Sequence, residues 1–162
     1  MTNAFICNIE IQWPDTGVPD EALAWPGDTV TVHYSAYLAR DYHGPSSEPF
    51  DSSRWGSERR EGKGTEDSAA IKSGAENKIE NRSFGFLVGG GAVVAGLERA
   101  ARRLPVGAAC VVRVPSGLAY GSLGVRDISG GDGGGWFVVP PYADLIFELE
   151  MVAIRKHSPL PQ

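Results

Sequence analysis

Residues that carry covalent or metal chemistry are scarce in this chain. Its three histidines, His33, His43 and His157, are scattered, and the two cysteines, Cys7 and Cys110, lie far from them in sequence, so no zinc-binding spacing exists. There is no G-x-S-x-G, and the serines near Asp51 have no histidine close by to complete a nucleophilic triad. The glycines of LVGGGAVVAG miss the dinucleotide fingerprint because Val94 holds its sixth position, and no Lys-Ser or Lys-Thr pair follows to make a phosphate loop. Neither a metal nor a cofactor is expected.

Basic charge is short as well. Fifteen Lys and Arg against twenty Asp and Glu leave a net charge of −5, whereas nucleic acid and anionic membrane surfaces both call for a basic face. No apolar run approaches the roughly 18 residues of a membrane span, and the start MTNAFICNIEIQWP lacks the basic and apolar stretches of a signal peptide. A cytoplasmic protein without nucleic-acid or membrane partners is expected, its cysteines buried and reduced rather than bridged. With no heptad and no long exposed apolar strand, a monomer is expected.

What is present is patterned apolar sequence. In Phe84 to Leu104 (FGFLVGGGAVVAGLERAARRL), Phe84, Phe86 and Val88 alternate as in a strand. A triple glycine interrupts, and Val93, Val94, Leu97, Ala100, Ala101 and Leu104 then recur at spacings of three and four. The pattern predicts a strand, a tight turn and a helix of about three turns, stopped by Pro105 and Gly107. Thr29 to Leu38 places Val30, Val32, Tyr34, Ala36 and Leu38 on one face. Ala109 to Val114 and Leu145 to Val152 alternate likewise, the latter with Leu145, Phe147, Leu149 and Met151 inward and Ile146, Glu148 and Glu150 outward; Phe5 to Ile11 is a weaker fourth strand. One-sided strands need cover, and the chain offers one amphipathic helix. The fold class is α+β, an antiparallel sheet wrapped about a single short helix.

The length of 162 residues fits one domain. Residues 1–26 form an N-terminal strand and lead-in, 27–157 the domain, and 158–162 a frayed tail. Within the domain, 55–83 is a long insertion. It holds six acids and six bases with almost no apolar residue beyond Trp55, Ile71 and Ile79, so it is expected to be mobile, at least in its first half. Thr65 to Glu80 is open to a short helix begun from a Thr or Ser cap. Residues 121–137, rich in glycine, read as a flexible flap. Phe50-Asp51-Ser52-Ser53-Arg54 reads either as a pocket wall with an oriented acid or as an Asx-turn ending a strand. The aromatics Tyr34, Phe50, Phe84, Phe86, Tyr120, Tyr142 and Phe147 read either as plain core or as an apolar site.

Four ordered stretches, GDTVTVHYSAYL, EPFDSSR, SFGFLVGGGAVVAGLERAARRLPVGAACVVRVPSGLAYG and VVPPYADLIFELEMV, resemble the FKBP-type peptidyl-prolyl cis-trans isomerases. The likeness covers roughly Gly27 to Val152, interrupted at the two insertions. It implies a twisted antiparallel sheet of five or six strands curled about the helix, a catalyst of X-Pro isomerisation in protein folding, and affinity for macrolides of the FK506 and rapamycin class. By motif, the resemblance places the catalytic roles on Asp51, Tyr34, Tyr120 and Phe147, and substrate or macrolide contacts on Phe50, Phe84, Val93, Val94, Leu97, Val139 and Tyr142. It gives the Val94 N–H and the Tyr120 hydroxyl to ligand carbonyls. Asp51 is expected to hydrogen-bond Tyr34 and is open to pairing with Arg54. Two departures stand out: Leu97 where the family usually has a tryptophan floor, and a lengthened flap between Tyr120 and Val138. They keep a second reading open, a catalytically weak binding module acting through the pocket rim and the 55–83 insertion.

Overall fold

The structure, a computed structural model, describes residues 17–44, 46–54, 83–127 and 135–158, together with the backbone of 6–8. Among the described residues the strands are β1 (Ile6–Asn8), β2 (Thr29–Leu38), β3 (Asp51–Ser52), β4 (Phe84–Leu87), β5 (Ala109–Val114), β6 (Val125–Asp127), β7 (Trp136–Val139) and β8 (Leu145–Arg155), with one α-helix, α1 (Ala95–Ala101). The main sheet runs β1-β5-β8-β2-β3, and β4 also pairs with β2. All these pairings are antiparallel except β1 on β5, which is parallel.

The alternating strands bury the side they were expected to bury. Val30, Val32 and Ala36 of β2, Cys110, Val112 and Val114 of β5, and Leu145, Phe147, Leu149 and Met151 of β8 share one core cluster with Leu97, Ala100, Ala101 and Leu104. An extra residue at the end of β8 keeps this phase: Thr31 faces Ala153 but Val32 faces Met151, a bulge that leaves Val152 outside and returns Ile154 to the core. The helix is shorter than the pattern predicts. It ends at Ala101, and i→i+3 bonds from Arg103 N–H to Ala100 and Leu104 N–H to Ala101 tighten the last turn before Gly107 takes up φ +86°.

The outward face differs from expectation. Tyr37 and Ile146, assigned to solvent by alternation, are 4% and 5% exposed and form a second cluster with Val111. Ala39 and Tyr42 pack against that cluster, because the chain after β2 turns back over this side of the sheet. The Glu148 carboxylate accepts from both the Tyr37 and Tyr42 hydroxyls, at 3.0 and 3.1 Å.

β3 and β4 occupy one edge of β2 end to end. Ser52 faces Ser35 and Asp51 faces Ala36, while Phe84 to Leu87 face Val32 to Thr29. The insertion at 55–83 leaves from the first piece and returns to the second. Except for Ser83, it lies outside the described residues, as do the optional helix over Thr65–Glu80, the centre of the flap and 159–162. The flap is not irregular throughout: its arms are β6 and β7, paired antiparallel. Gly124 sits at their base, where a Cβ would lie 2.3 Å from the Val139 carbonyl oxygen, so only glycine fits.

Candidate active site

Two serines and a backbone bond fix the polar end of a cleft on the helix side of the sheet. The Tyr34 N–H donates to Ser53 Oγ at 3.0 Å, and the Tyr34 carbonyl accepts from Ser52 Oγ at 3.1 Å. Ser35 and Ser52 hydroxyls meet at 2.9 Å, and the Phe50 N–H donates to the Ala36 carbonyl at 2.9 Å. This lattice holds the two-residue β3 where its ladder alone would be weak. It aims the Asp51 carboxylate at the Tyr34 hydroxyl, which donates to Oδ2 at 2.8 Å.

The cleft, about 130 Å³, is lined by Tyr34, Ala36, Phe50, Asp51, Phe84, Ala92, Val93, Val94, Leu97, Tyr120 and Phe147. Tyr34 meets the Phe84 ring edge-on at 5.7 Å and the Phe147 ring at 6.4 Å, geometry that rigid aromatic walls favour. Leu97 and Phe147 are each 4% exposed, so floor and back wall are set by the core. Val94 caps α1 with its carbonyl, which accepts from the Leu97 and Glu98 N–H groups.

Electrostatically the cleft holds one carboxylate between two phenols. Burial, then the hydrogen bond and charge of Asp51, push the Tyr34 hydroxyl far above the ordinary tyrosine value; burial and Asp51 raise Tyr120 as well. Both phenols therefore stay protonated donors through the neutral range. Arg54 is engaged by Glu150, with Nη2 to Oε2 at 2.7 Å. Among the described residues no group of three or more His, Cys, Asp or Glu side chains is placed to hold a metal.

A profile of the FKBP-type peptidyl-prolyl cis-trans isomerases matches residues 21–152. The chain belongs to the FKBP family. It is similar to peptidyl-prolyl cis-trans isomerase FPR2 of Saccharomyces cerevisiae, 30% identical over 132 residues that cover 82% of this chain and 69% of that protein. FK506-binding protein 2 of Candida glabrata is 32% identical over 134 residues, covering 83% and 70%. A crystal structure of a peptidyl-prolyl cis-trans isomerase from Pseudomonas syringae aligns with a TM-score of 0.48 at 21% identity, over 83% of this chain and 67% of that one. Family and relatives make this FKBP a peptidyl-prolyl cis-trans isomerase.

Nine of the eleven residues that the resemblance assigned to the site line this one cleft. The other two do not. Val139 is 1% exposed inside the main core, and Tyr142 is 74% exposed; Tyr142 lines a separate shallow cavity with Leu38, Arg40 and Arg113. Alternation along β7 turns Val139 inward. Tyr142 adopts φ +58°, its N–H donating to the Gly121 carbonyl at 2.8 Å, a turn conformation that sends the ring outward. Sequence reasoning missed Ala36 and Ala92, which are small and carry no signal. It also gave Ser52 and Ser53 no part, although two adjacent hydroxyls beside an acid on an edge strand are a visible cue. The cleft is smaller than a cavity beside Trp25; apolar walls with a convergent polar pair, rather than volume, mark it as the candidate.

Proposed function

We propose that this FKBP accelerates X-Pro isomerisation in protein clients by stripping the imide of water and binding its twisted form in the cleft. The observation that carries the reading is the 2.8 Å Tyr34–Asp51 bond at the mouth of a pocket walled by Phe50, Phe84, Val94 and Phe147. X-Pro bonds cross a barrier of about 20 kcal/mol because twisting destroys the amide resonance. That resonance is charge-separated, so water stabilises the planar form more than the twisted one, and an apolar pocket reverses the preference. Each tenfold gain in rate needs only about 1.4 kcal/mol of differential binding, and no nucleophile or general base takes part.

In this reading the prolyl ring sits over Leu97 against Phe147 and Phe50. The Tyr120 hydroxyl and the Val94 N–H hold the flanking carbonyls, and Asp51 orients Tyr34 and shapes the field at the imide. The same groups suit macrolides of the FK506 and rapamycin class, which Leu97 in place of an indole would hold less tightly. The cell's cytoplasm is the proposed setting and the monomer the proposed state. A protease-coupled or NMR-exchange assay on an X-Pro peptide tests the mechanism: Asp51→Ala should lower kcat/KM by about tenfold, the worth of a hydrogen bond to a charged group, with an unchanged fold. Undiminished turnover in that variant removes the role given to Asp51.

A further inference from the structure

On the side of α1 away from the cleft lies a cavity of about 470 Å³, lined by Asp20, Leu23, Ala24, Trp25, Arg99, Arg102 and Arg103. Arg99 lies in the last turn of α1, Arg102 is its C-cap and Arg103 follows it, while Leu97 turns toward the catalytic cleft. Three other arginines, Arg40, Arg54 and Arg113, are ion-paired with Asp41, Glu150 and Asp144. Among the described residues, none of the guanidiniums at the cavity has such a partner. Arg102 goes further: its Nε is buried with no hydrogen-bond partner among the described residues. An exposed guanidinium is served by water, but a buried N–H without an acceptor carries its full desolvation cost. Cations are favoured near a helix C-terminus, yet that does not account for the orphaned Nε or for three like charges set side by side.

The opposite wall is rigid. The Trp25 indole N–H donates to the Asp20 carbonyl at 3.1 Å, and the Trp25 backbone N–H donates to Asp28 Oδ2 at 2.9 Å. Asp28, 5% exposed, is held in turn by the His157 N–H at 2.7 Å and by Lys156 Nζ at 3.3 Å. The indole is thus fixed, 49% exposed, as a flat surface beside the guanidiniums. Among the described residues the only acid lining the cavity is Asp20, so these side chains carry an excess of two positive charges. A carboxylate supplies one negative charge; a phosphate monoester supplies about 1.5 to 2 at neutral pH, with oxygens that match the guanidinium fork.

We propose that this cavity binds an aryl phosphate monoester, its phosphate on Arg99, Arg102 and Arg103 and its ring on the Trp25 indole. The site is independent of the isomerase cleft. The test uses the ¹⁵N-labelled full chain, following the arginine Nε–H and tryptophan indole N–H resonances. Phenyl phosphate should shift those of Arg102 and Trp25 with a dissociation constant of about 0.1–1 mM. Benzoate should bind about tenfold more weakly, and Arg99→Gln/Arg103→Gln, at two exposed positions, should weaken phenyl phosphate by about tenfold while sparing X-Pro turnover. A phosphotyrosine peptide binding more tightly than phenyl phosphate identifies a protein side chain as the source; equal binding identifies a small soluble molecule. Resonances unmoved by phenyl phosphate, benzoate binding as tightly, or an unaffected double variant would overturn the proposal.

Discussion

Gly96 lets α1 lie close enough to the sheet to serve as a floor, and Gly96→Ala tests this directly. A Cβ at this position would stand 2.2 and 2.9 Å from the two Val114 methyl carbons, where carbon atoms at rest keep about 3.5–4.0 Å. Val114 is fully buried, so it has no free space to turn into, and the helix must lift by well over an ångström. Alanine brings a gain of up to about 1 kcal/mol in helix propensity, against an overpacking cost of roughly 1–3 kcal/mol. The expected balance is a loss of about 1–2 kcal/mol, read as a lower urea midpoint at unchanged slope. Because Leu97, Val93 and Val94 move with the helix, kcat/KM for an X-Pro peptide should fall too. Val114→Ala should relieve the clash, so the double variant should be at least about 1 kcal/mol more stable than the two single changes add up to. A Gly96→Ala protein as stable as the parent would refute the reasoning.

Leu97→Trp should strengthen rapamycin binding by roughly a decade: some 40–80 Å² of regained contact at about 25 cal/mol per Å² is worth about 1–2 kcal/mol. Titration calorimetry with parallel thermal unfolding checks it, and equal binding at unaltered stability would move attention to the flap. Burial and the Glu148 hydrogen bond push the Tyr37 hydroxyl up to about 12, above its unfolded value near 10. The stability it contributes is complete below about pH 10 and lost between there and pH 12; thermal melts of Tyr37→Phe should show a flatter alkaline limb. The His157 N–H hydrogen bond, opposed by burial and aided by Trp25 and Lys156, holds Asp28 below the ordinary carboxylate range. Its contribution is therefore present above about pH 4 and lost on further acidification. Asp28→Asn should cost about 1.5–3 kcal/mol at neutral pH and flatten the acid limb of the same melts.

The sheet was legible because period-two alternation in β2, β5 and β8 is strong and the core side of each strand is uniformly apolar. The opposite side was not. Tyr37 and Ile146 look like ordinary outward residues until the chain after β2 folds over them, a tertiary event that no local pattern records. Glycine inside a short helix is unfavourable in isolation, and the reason for Gly96 lies in Val114, eighteen positions away. The parallel β1 could not be told from an antiparallel strand by periodicity, which is the same for both. At the cleft, residues whose side chains are large or charged were foreseeable by motif. The placement of Tyr142 depended on a turn at φ +58°, which tyrosine does not announce, and that of Val139 on the phase of β7.

β3 and β4 dividing one edge of β2 between them has a topological consequence. Ser53 bonds opposite Tyr34 and Phe84 pairs opposite Val32, so the chain departs and rejoins about two strand residues apart, roughly 7 Å. Sequence can lengthen or shrink between those points without altering the register of any interior strand. Since Phe50, Asp51 and Phe84 flank the gap, whatever a lineage places there begins and ends at the lip of the catalytic cleft. A change of length there leaves the strand pairing that builds the cleft as it is.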